Sequence, residues 1–323
     1  MMVKFGNRGG AQANATAYQE PYLKHVWRNR ILYLLLLPGL IHLLVFKIAP
    51  LFGLAIAFQD FNMFLGVLHS KWVGFKHFIA FVNDPYIPRV LANTVLLSLY
   101  TLIFGFPAPI LFALFLNEVR NAFLRRTVQT LTFFPHFIAT AVLVSMMYLM
   151  FSPQTGIVNV VLLKLGFESI FFFAEPSWFR TLFVSSGIWS SFGYGAVIYL
   201  SAMAAIDPHL YEAADMDGAN RWHKIFHITL PSIANTVIIM FILEIGNILT
   251  VNLDKILLMY NPSVFERADV IQSYVYRVAF AGEFGLPKYS YGIAVSLLQS
   301  IFAFILIFLA NQAAKKYSES RLF

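Results

Sequence analysis

The 323-residue sequence has no cysteine, and only 12% of it is Asp, Glu, Lys or Arg. Without thiols there are no disulfides, no thiolate metal sites and no cysteine nucleophiles. The scarcity of charge, against about 25% in an ordinary globular domain, excludes a soluble protein of this length. Histidines are few and scattered. His223 and His227 share an i, i+4 spacing, but the pair lacks the adjacent glutamate of a metalloprotease helix and reads as solvent-facing polar residues. A membrane-embedded enzyme, which needs His, Asp or Glu converging near one interface, is therefore disfavoured, and no metal is expected.

What the chain has instead is apolar surface: 59% of its residues are hydrophobic and its mean hydropathy is +0.69. A bilayer core takes about 20 apolar residues per helix, and six such runs lie near 31–50, 91–117, 131–151, 181–205, 230–252 and 291–312. This predicts an all-α membrane protein with about six transmembrane helices. Pro107, Pro109 and Pro135 fall inside the second and third runs, where neighbouring helices of a bundle satisfy the freed backbone groups. Ala55-Ile56-Ala57 has the form of a signal-peptide cleavage site. The apolar run before it is longer than an h-region, with Lys47 and Pro50 intervening, so the first run reads as an uncleaved span. The expected division is a tail over 1–30, polar and without readable function over 1–22, a membrane domain over 31–312 and a second tail over 313–323.

Lys and Arg orient the runs. With the N-terminus inside, thirteen fall in cytoplasmic segments, Arg28, Arg30, Arg125, Arg126, Arg221 and Lys224 among them, against seven in outer loops. This bias places both termini in the cytoplasm. The net charge of +7 thus reads as a topology signal and not as a nucleic-acid footprint. The outer connections, 51–90, 152–180 and 253–290, carry many aromatics, including Trp72, Phe75, Phe78, Tyr86, Phe171 to Phe173, Trp178, Tyr274 and Tyr276. An interfacial anchoring belt is the plain reading of these, and a surface that receives a partner protein is the sharper one.

One inner connection, 206–230, has the length and composition to present a structured surface. Most of it and the residue that follows read EAADMDGANRWHKIFHITLP, from 212 to 231. Asp207 followed by Pro208 is a helix start, a carboxylate facing orphan N–H groups with proline at the first helical position. Gly218 permits a turn, and Asp217 is placed to cap a second helix. In that second helix Ala219, Trp222, Phe226 and Thr229 form an apolar stripe. Ala213 and Ala214 let another surface approach closely, and Glu212 gives such a contact direction. A purely structural hairpin remains an open alternative on local physics alone.

Within the fifth run, Glu244 is too costly to face lipid. Asn247, Val251, Asp254 and Lys255 follow at helical spacing, so this stripe is expected to face the bundle interior, either as an interhelical hydrogen-bond cluster or as substrate contacts. Trp189, Tyr194 and Tyr199 in the fourth run offer aromatic faces for stacking on a bound ring, although packing explains them equally well. Gly187, Gly193 and Gly195 among them mark close helix contacts. Few basic residues lie within the runs, so substrate charge is not readable here.

Glu212-Ala213-Ala214, Asp217-Gly218-Ala219, Ile228, Leu230 and Pro231 resemble the EAA signature of ATP-binding-cassette importer permeases, EAA-x2-DGA-x5-F-x2-I-x-L-P. Ile225 stands where that family commonly has Phe, with Phe226 beside it. FFPHFIATAVLVSMMY at 133–148, IDPHLYEAADMDGA at 206–219 and LANQAAKKY at 309–317 extend the resemblance to the carbohydrate-uptake subgroup that imports oligosaccharides. The resemblance implies a type I importer transmembrane domain whose cytoplasmic coupling helix enters a cleft on an ATPase. By position, Glu212, Ala213, Ala214, Asp217, Gly218 and Ala219 would make that contact, with Leu230 and Pro231 closing the motif. No G-x-x-x-x-G-K-[ST] phosphate loop occurs, so ATP and Mg are expected on a separate chain, with no cofactor and no catalytic residue in this one. The expected partners are a second permease subunit forming a heterodimer, two copies of the ATPase, an extracytoplasmic solute-binding protein, the oligosaccharide and membrane lipid. The place is the bacterial inner membrane. An ion-coupled secondary sugar transporter is the rival reading, but it calls for inverted repeats with acids in both halves, and Glu244 has no matching partner in the first half.

Overall fold

The structure is a computed structural model that describes residues 27–282 and 287–317. The tail expected over 1–22 and the last residues of the C-terminal tail lie outside the described residues. The chain divides into two compact units at Gly53. In the first, helix α1 (Arg30–Leu43) is leucine-rich on every side and buries no residue, despite Pro38 within it. A helix that is apolar all round is made for lipid or for a partner's surface.

The second unit opens with a short antiparallel ladder, β1 (Gln59–Asp60) with β2 (Lys71–Trp72), in which Gln59 faces Trp72 and Asp60 faces Lys71. Helices α2 (Lys76–Val82), α3 (Ile87–Tyr100), α4 (Pro107–Asn117), α5 (Ala122–Phe133), α6 (Thr140–Met150), α7 (Ile157–Lys164), α8 (Pro176–Ala204), α9 (Pro208–Met216), α10 (Leu230–Asn247), α11 (Leu253–Met259), α12 (Ile271–Ala279) and α13 (Tyr289–Tyr317) follow. Among the described residues, four helical runs are long and apolar enough to cross a membrane: Arg30–Phe58, Ile87–Asn117, Arg221–Asn247 and Tyr289–Ala313. Two bent pairs, Ala122–Phe137 with Thr140–Met150 and Pro176–Ala204 with Pro208–Met216, make six if each is one span.

The second run is continuous from Ile87 through its prolines, as expected, with a π-turn, Thr101–Gly105, before Pro107 that absorbs the missing N–H. Two other expectations change. The third run is not straight. Pro135 lies in a 3-10 turn, Ile138 and Ala139 are extended, and the helices on either side bend by 103°. The fifth run stops at Asn247, with residues 248–252 unwound before α11. The freed Leu249 carbonyl accepts from Gln272 Nε2 at 2.6 Å and Gln299 Nε2 at 2.5 Å, so polar side chains of α12 and α13 replace the broken helical bonds.

The aromatics of the outer connections also divide. Trp72, Phe75 and Tyr86 are exposed, as a belt requires, whereas Phe78, Phe172, Phe173 and Tyr274 are buried in the core. Buried amides organise these connections. Asn159 donates to the carbonyls of Phe151, Ser152 and Ile170 and accepts the Ile170 N–H at 2.8 Å. Asn93 on α3 donates to the Glu266 and Asp269 carbonyls and accepts from Arg180 Nη2 at 2.8 Å, and the buried Asp269 pairs with Arg277 at 2.5 Å.

Helix α8 is the centre of the unit, packed on α4, α5 and α10. Its glycines decide how closely. A Cβ built on Gly193 would lie 2.1 Å from the Thr132 carbonyl oxygen, and one on Gly195 would lie 3.2 Å from Pro109 Cβ. Gly193→Ala therefore has to push α5 away from α8. Overpacking of this kind costs about 1–3 kcal/mol, so the purified variant should unfold at a clearly lower temperature than the parent. Gly39→Ala, which meets nothing within 4 Å, should not.

Candidate functional site

The connection from α8 to α10 is a helical hairpin built from its caps. Asp207 has an extended backbone, and its Oδ1 accepts the His209 N–H at 3.0 Å; with Pro208 in the first turn it starts α9. At the other end the Ala219 N–H donates to the Ala214 carbonyl at 2.9 Å and the Gly218 N–H to Asp215 at 3.1 Å. This pair of bonds closes a helix on a left-handed residue. Gly218 supplies that conformation with φ of 72°, which any side chain would resist.

The second helical turn, Arg221–Lys224, is capped by Asn220, whose Oδ1 accepts the His223 N–H at 2.9 Å. This corrects the expectation for Asp217. That residue is the C-cap of α9 and lies before the chain reverses at Gly218. The turn runs on through a π-turn, Ile225–Thr229, into α10. The extra residue of a π-turn shifts the phase of the helix, and the expected stripe splits. Trp222 and Phe226 stack on each other, centroids 6.2 Å apart, and are both more than half exposed, whereas Thr229 is buried. Ile225 takes the inward place, against Tyr199, Met203 and Ile233, with Ile206 and Leu230 packed beside it.

Two contacts that the sequence reading missed lock the arms together. Tyr211 Oη lies 2.9 Å from Thr229 Oγ1, which donates on to the Lys224 carbonyl at 3.3 Å, and the Lys224 ammonium pairs with Asp215. No short-range pattern announces them, because partners 18 and 9 residues apart meet only once Gly218 has turned the chain. The lock leaves one side free. Glu212, Ala213, Met216, Asp217 and Gly218 are exposed, Ala214 and Ala219 are half-buried, and Glu212 leans on His209 at 3.2 Å. Pro231 is exposed where α10 begins. The result is a rigid, narrow peg with alanines on its flank and carboxylates around it, rooted by Ile225 in the bundle.

The candidates for a substrate path do not form one face. Glu244 and Asn247 are exposed near the end of α10, with Asn247 Nδ2 donating to Leu243 at 3.2 Å. The stripe expected to continue through Val251, Asp254 and Lys255 is interrupted by the unwound residues. Asn252 caps a new helix there, accepting the Lys255 N–H at 3.0 Å. Val251 is buried in the core, Asp254 is exposed, and Lys255 is buried against α8, donating to the Phe183 carbonyl at 2.8 Å with its ammonium 4.6 Å from the Phe183 ring. On α8, Trp189 and Tyr194 are exposed, and Tyr194 stacks on His136 at 3.9 Å. Tyr199 is 2% exposed inside the cluster that anchors the hairpin, so it packs and does not line a path.

Tyr211→Phe and Thr229→Val each remove a bond worth about 1 kcal/mol. Amide exchange across 213–219 should quicken several-fold in either variant by mass spectrometry. Met216→Gln, at an exposed tip, should leave it unchanged.

Residues 105–322 match the family described as binding-protein-dependent transport system inner membrane component. Protein LplB of Bacillus subtilis (strain 168) is 42% identical over 296 residues, 92% of each chain. The polygalacturonan/rhamnogalacturonan transport system permease protein YteP of the same organism is 39% identical over 322 residues, 97% of this chain and 99% of that protein. Among solved structures, a chain of a bacterial ABC transporter involved in the import of the acidic polysaccharide alginate superposes with a TM-score of 0.84 at 36% identity, covering 92% of this chain and 99% of that one. A chain of a bacterial alginate ABC transporter in complex with an alginate pentasaccharide-bound periplasmic protein gives 0.86 at 35%, covering 94% and 100%.

Proposed function

Since the chain belongs to the binding-protein-dependent transport system inner membrane components, we propose that it forms half of the translocation path of an importer for acidic oligosaccharides, alginate or another uronate chain, and couples that path to ATP hydrolysis through the hairpin at 206–230. The chain is a permease of a carbohydrate ABC importer. Catalysis falls to a separate ATPase that binds ATP and Mg. Two copies of it engage this chain and a second permease subunit, and a solute-binding protein delivers the oligosaccharide from outside. Both termini lie in the cytoplasm with the hairpin.

The observation that carries the coupling reading is the construction of the hairpin. Caps at Asp207 and Asn220 and the left-handed turn at Gly218 fix its shape, while Ile225 and Leu230 tie it to the two longest helical arms around it, α8 and α10. A push on the peg therefore moves those helices as a unit instead of deforming a loop. When ATP closes the ATPase dimer, the peg is carried with it and the cavity between the permeases opens outward; hydrolysis returns it. In the path, the exposed Trp189 and Tyr194 rings offer faces to sugar C–H groups, and Glu244 and Asn247 offer hydrogen bonds. One cation supports an acidic substrate: Arg180, on α8, is half-buried, and among the described residues it has no carboxylate partner.

Ala214→Glu places a carboxylate on the flank that meets the ATPase. The variant should remain inserted and paired with its permease partner while the copurifying ATPase falls at least tenfold. Full ATPase association would remove Ala214 from the contact. In proteoliposomes with binding protein, trigalacturonate or an alginate trimer should stimulate ATP hydrolysis more than a neutral trisaccharide. The reverse order would discard the acidic substrate and keep the importer.

A further inference from the structure

Away from the hairpin and the path candidates, the second unit contains a cleft of about 930 Å³ between the β1 strand, α2, the start of α3, α12 and the start of α13. Its volume is at the upper end of the roughly 300–1,000 Å³ of small-molecule sites. Its walls are aromatic. Phe61 meets Tyr289 edge-on at 6.2 Å, and Tyr86 stacks on Tyr274 at 6.5 Å. The charges on these walls are unevenly satisfied. Asp60 already has Lys76 Nζ at 2.7 Å and His77 Nε2 at 3.2 Å, and the Lys76 bond holds its carboxyl below the ordinary value, so it remains an occupied anion. Asp84 accepts the Tyr86 N–H at 2.9 Å through one oxygen and, through the other, the Tyr274 hydroxyl and the Tyr291 hydroxyl at 3.4 Å.

What remains without a partner is donor capacity. The Lys288 ammonium is exposed on the cleft and, among the described residues, has no ion pair, while its own backbone is fixed by an N–H bond to the Val278 carbonyl at 3.2 Å. Among the described residues the Tyr86 and Tyr289 hydroxyls are likewise uncommitted. A cationic ligand would find both carboxylates taken, and a compact anion such as phosphate would use Lys288 and leave the aromatic walls and most of the volume empty. A pyranose ring with a carboxylate uses all of it: C–H faces against the rings, hydroxyls against the phenols, and the anion on the ammonium.

The geometry points to a second saccharide site in this cleft, which holds a uronate residue of an acidic oligosaccharide with its carboxylate on Lys288 and its ring against the Tyr86 and Tyr289 side chains. The choice of ligand rests on the acidic-oligosaccharide reading of the transport function. The site itself is separate from the α8 and α10 path candidates, and on the sequence topology it faces outward, where a chain longer than the central cavity would leave its trailing end.

The absence of cysteine allows a local test. In the assembled complex in lipid nanodiscs, without binding protein, Ala80→Cys places a thiol on the exposed lining of the cleft. Maleimide labelling of that residue, followed by the mass of this chain's peptide, is measured against trigalacturonate and galactotriose. Trigalacturonate should slow labelling at least fivefold and galactotriose should not, and Lys288→Gln added to the Ala80→Cys chain should abolish the protection. Raising salt should weaken it. Unchanged protection in Lys288→Gln, or none in the parent at millimolar trigalacturonate, overturns the site. In a parallel arm with unliganded binding protein added, protection by that protein, with none by trigalacturonate, overturns it in favour of a protein-docking pocket. The transport assay separates the two claims: if trigalacturonate still drives ATP hydrolysis when the cleft shows no protection, the outer site falls and the substrate reading stands.

Discussion

The close approach of α8 to the helices around it is the constraint on which the rest of the structure depends. In a bilayer, burial against lipid does not drive helices together as burial from water does, so association rests on van der Waals contact and on small residues that permit it. Gly193 brings the Thr132 carbonyl to a distance that no side chain would allow, and Gly195 brings Pro109 so near that an added Cβ would force it to give way slightly. With α5 and α4 seated there, Tyr199 and Met203 near the end of the same helix can be fully enclosed, and Ile225 and Ile233 pack onto them. The hairpin is thus fastened to the element that holds the bundle together.

That arrangement explains why a membrane chain spends charge and small residues on 206–230. The polar groups of the hairpin answer local needs: Asp207 and Asn220 cap helices, and Lys224 with Asp215 ties the arms. An exposed pair of this kind contributes about 1 kcal/mol or less to stability, and its effect is to fix orientation. Elsewhere the same economy recurs where helices break. The carbonyl freed at Leu249 is met by Gln272 and Gln299, and the outer loops are organised around Asn93 and Asn159. In the transport reading, the stiff hairpin and the interrupted end of α10 are complementary, one transmitting movement and the other offering a place where the path can change shape.

Much of this was legible in the sequence, and what was not has a common cause. Apolar runs gave the helices, and the places where these depart from straight α-helix are π-turns and a bend, which change helical phase without changing hydropathy. Asp207-Pro208 and Gly218 declared their roles because capping and left-handed turns depend on one or two adjacent residues. Asp217 was misassigned to the start of the second helix since a carboxylate beside a turn looks the same from either side, and the deciding fact is the direction the chain takes after Gly218. The stripe from Glu244 to Lys255 was read as one face because periodicity assumes an unbroken helix, and nothing local at Ile248 to Val251 announces the break. Tyr211 with Thr229 and Lys255 with Phe183 are contacts between distant positions, and Tyr199 could be told from a path residue only by what surrounds it.

The central claim is that the peg at 212–219 is a cytoplasmic docking surface for a separate ATPase. A cysteine-free chain makes it directly measurable. Ala213→Cys, on the exposed flank of α9, would be labelled with a membrane-impermeant maleimide in inside-out and right-side-out vesicles, with and without the ATPase. The account predicts rapid labelling in inside-out vesicles alone, strongly suppressed once the ATPase is bound. Labelling from the outer side, or a rate indifferent to the ATPase, would contradict it.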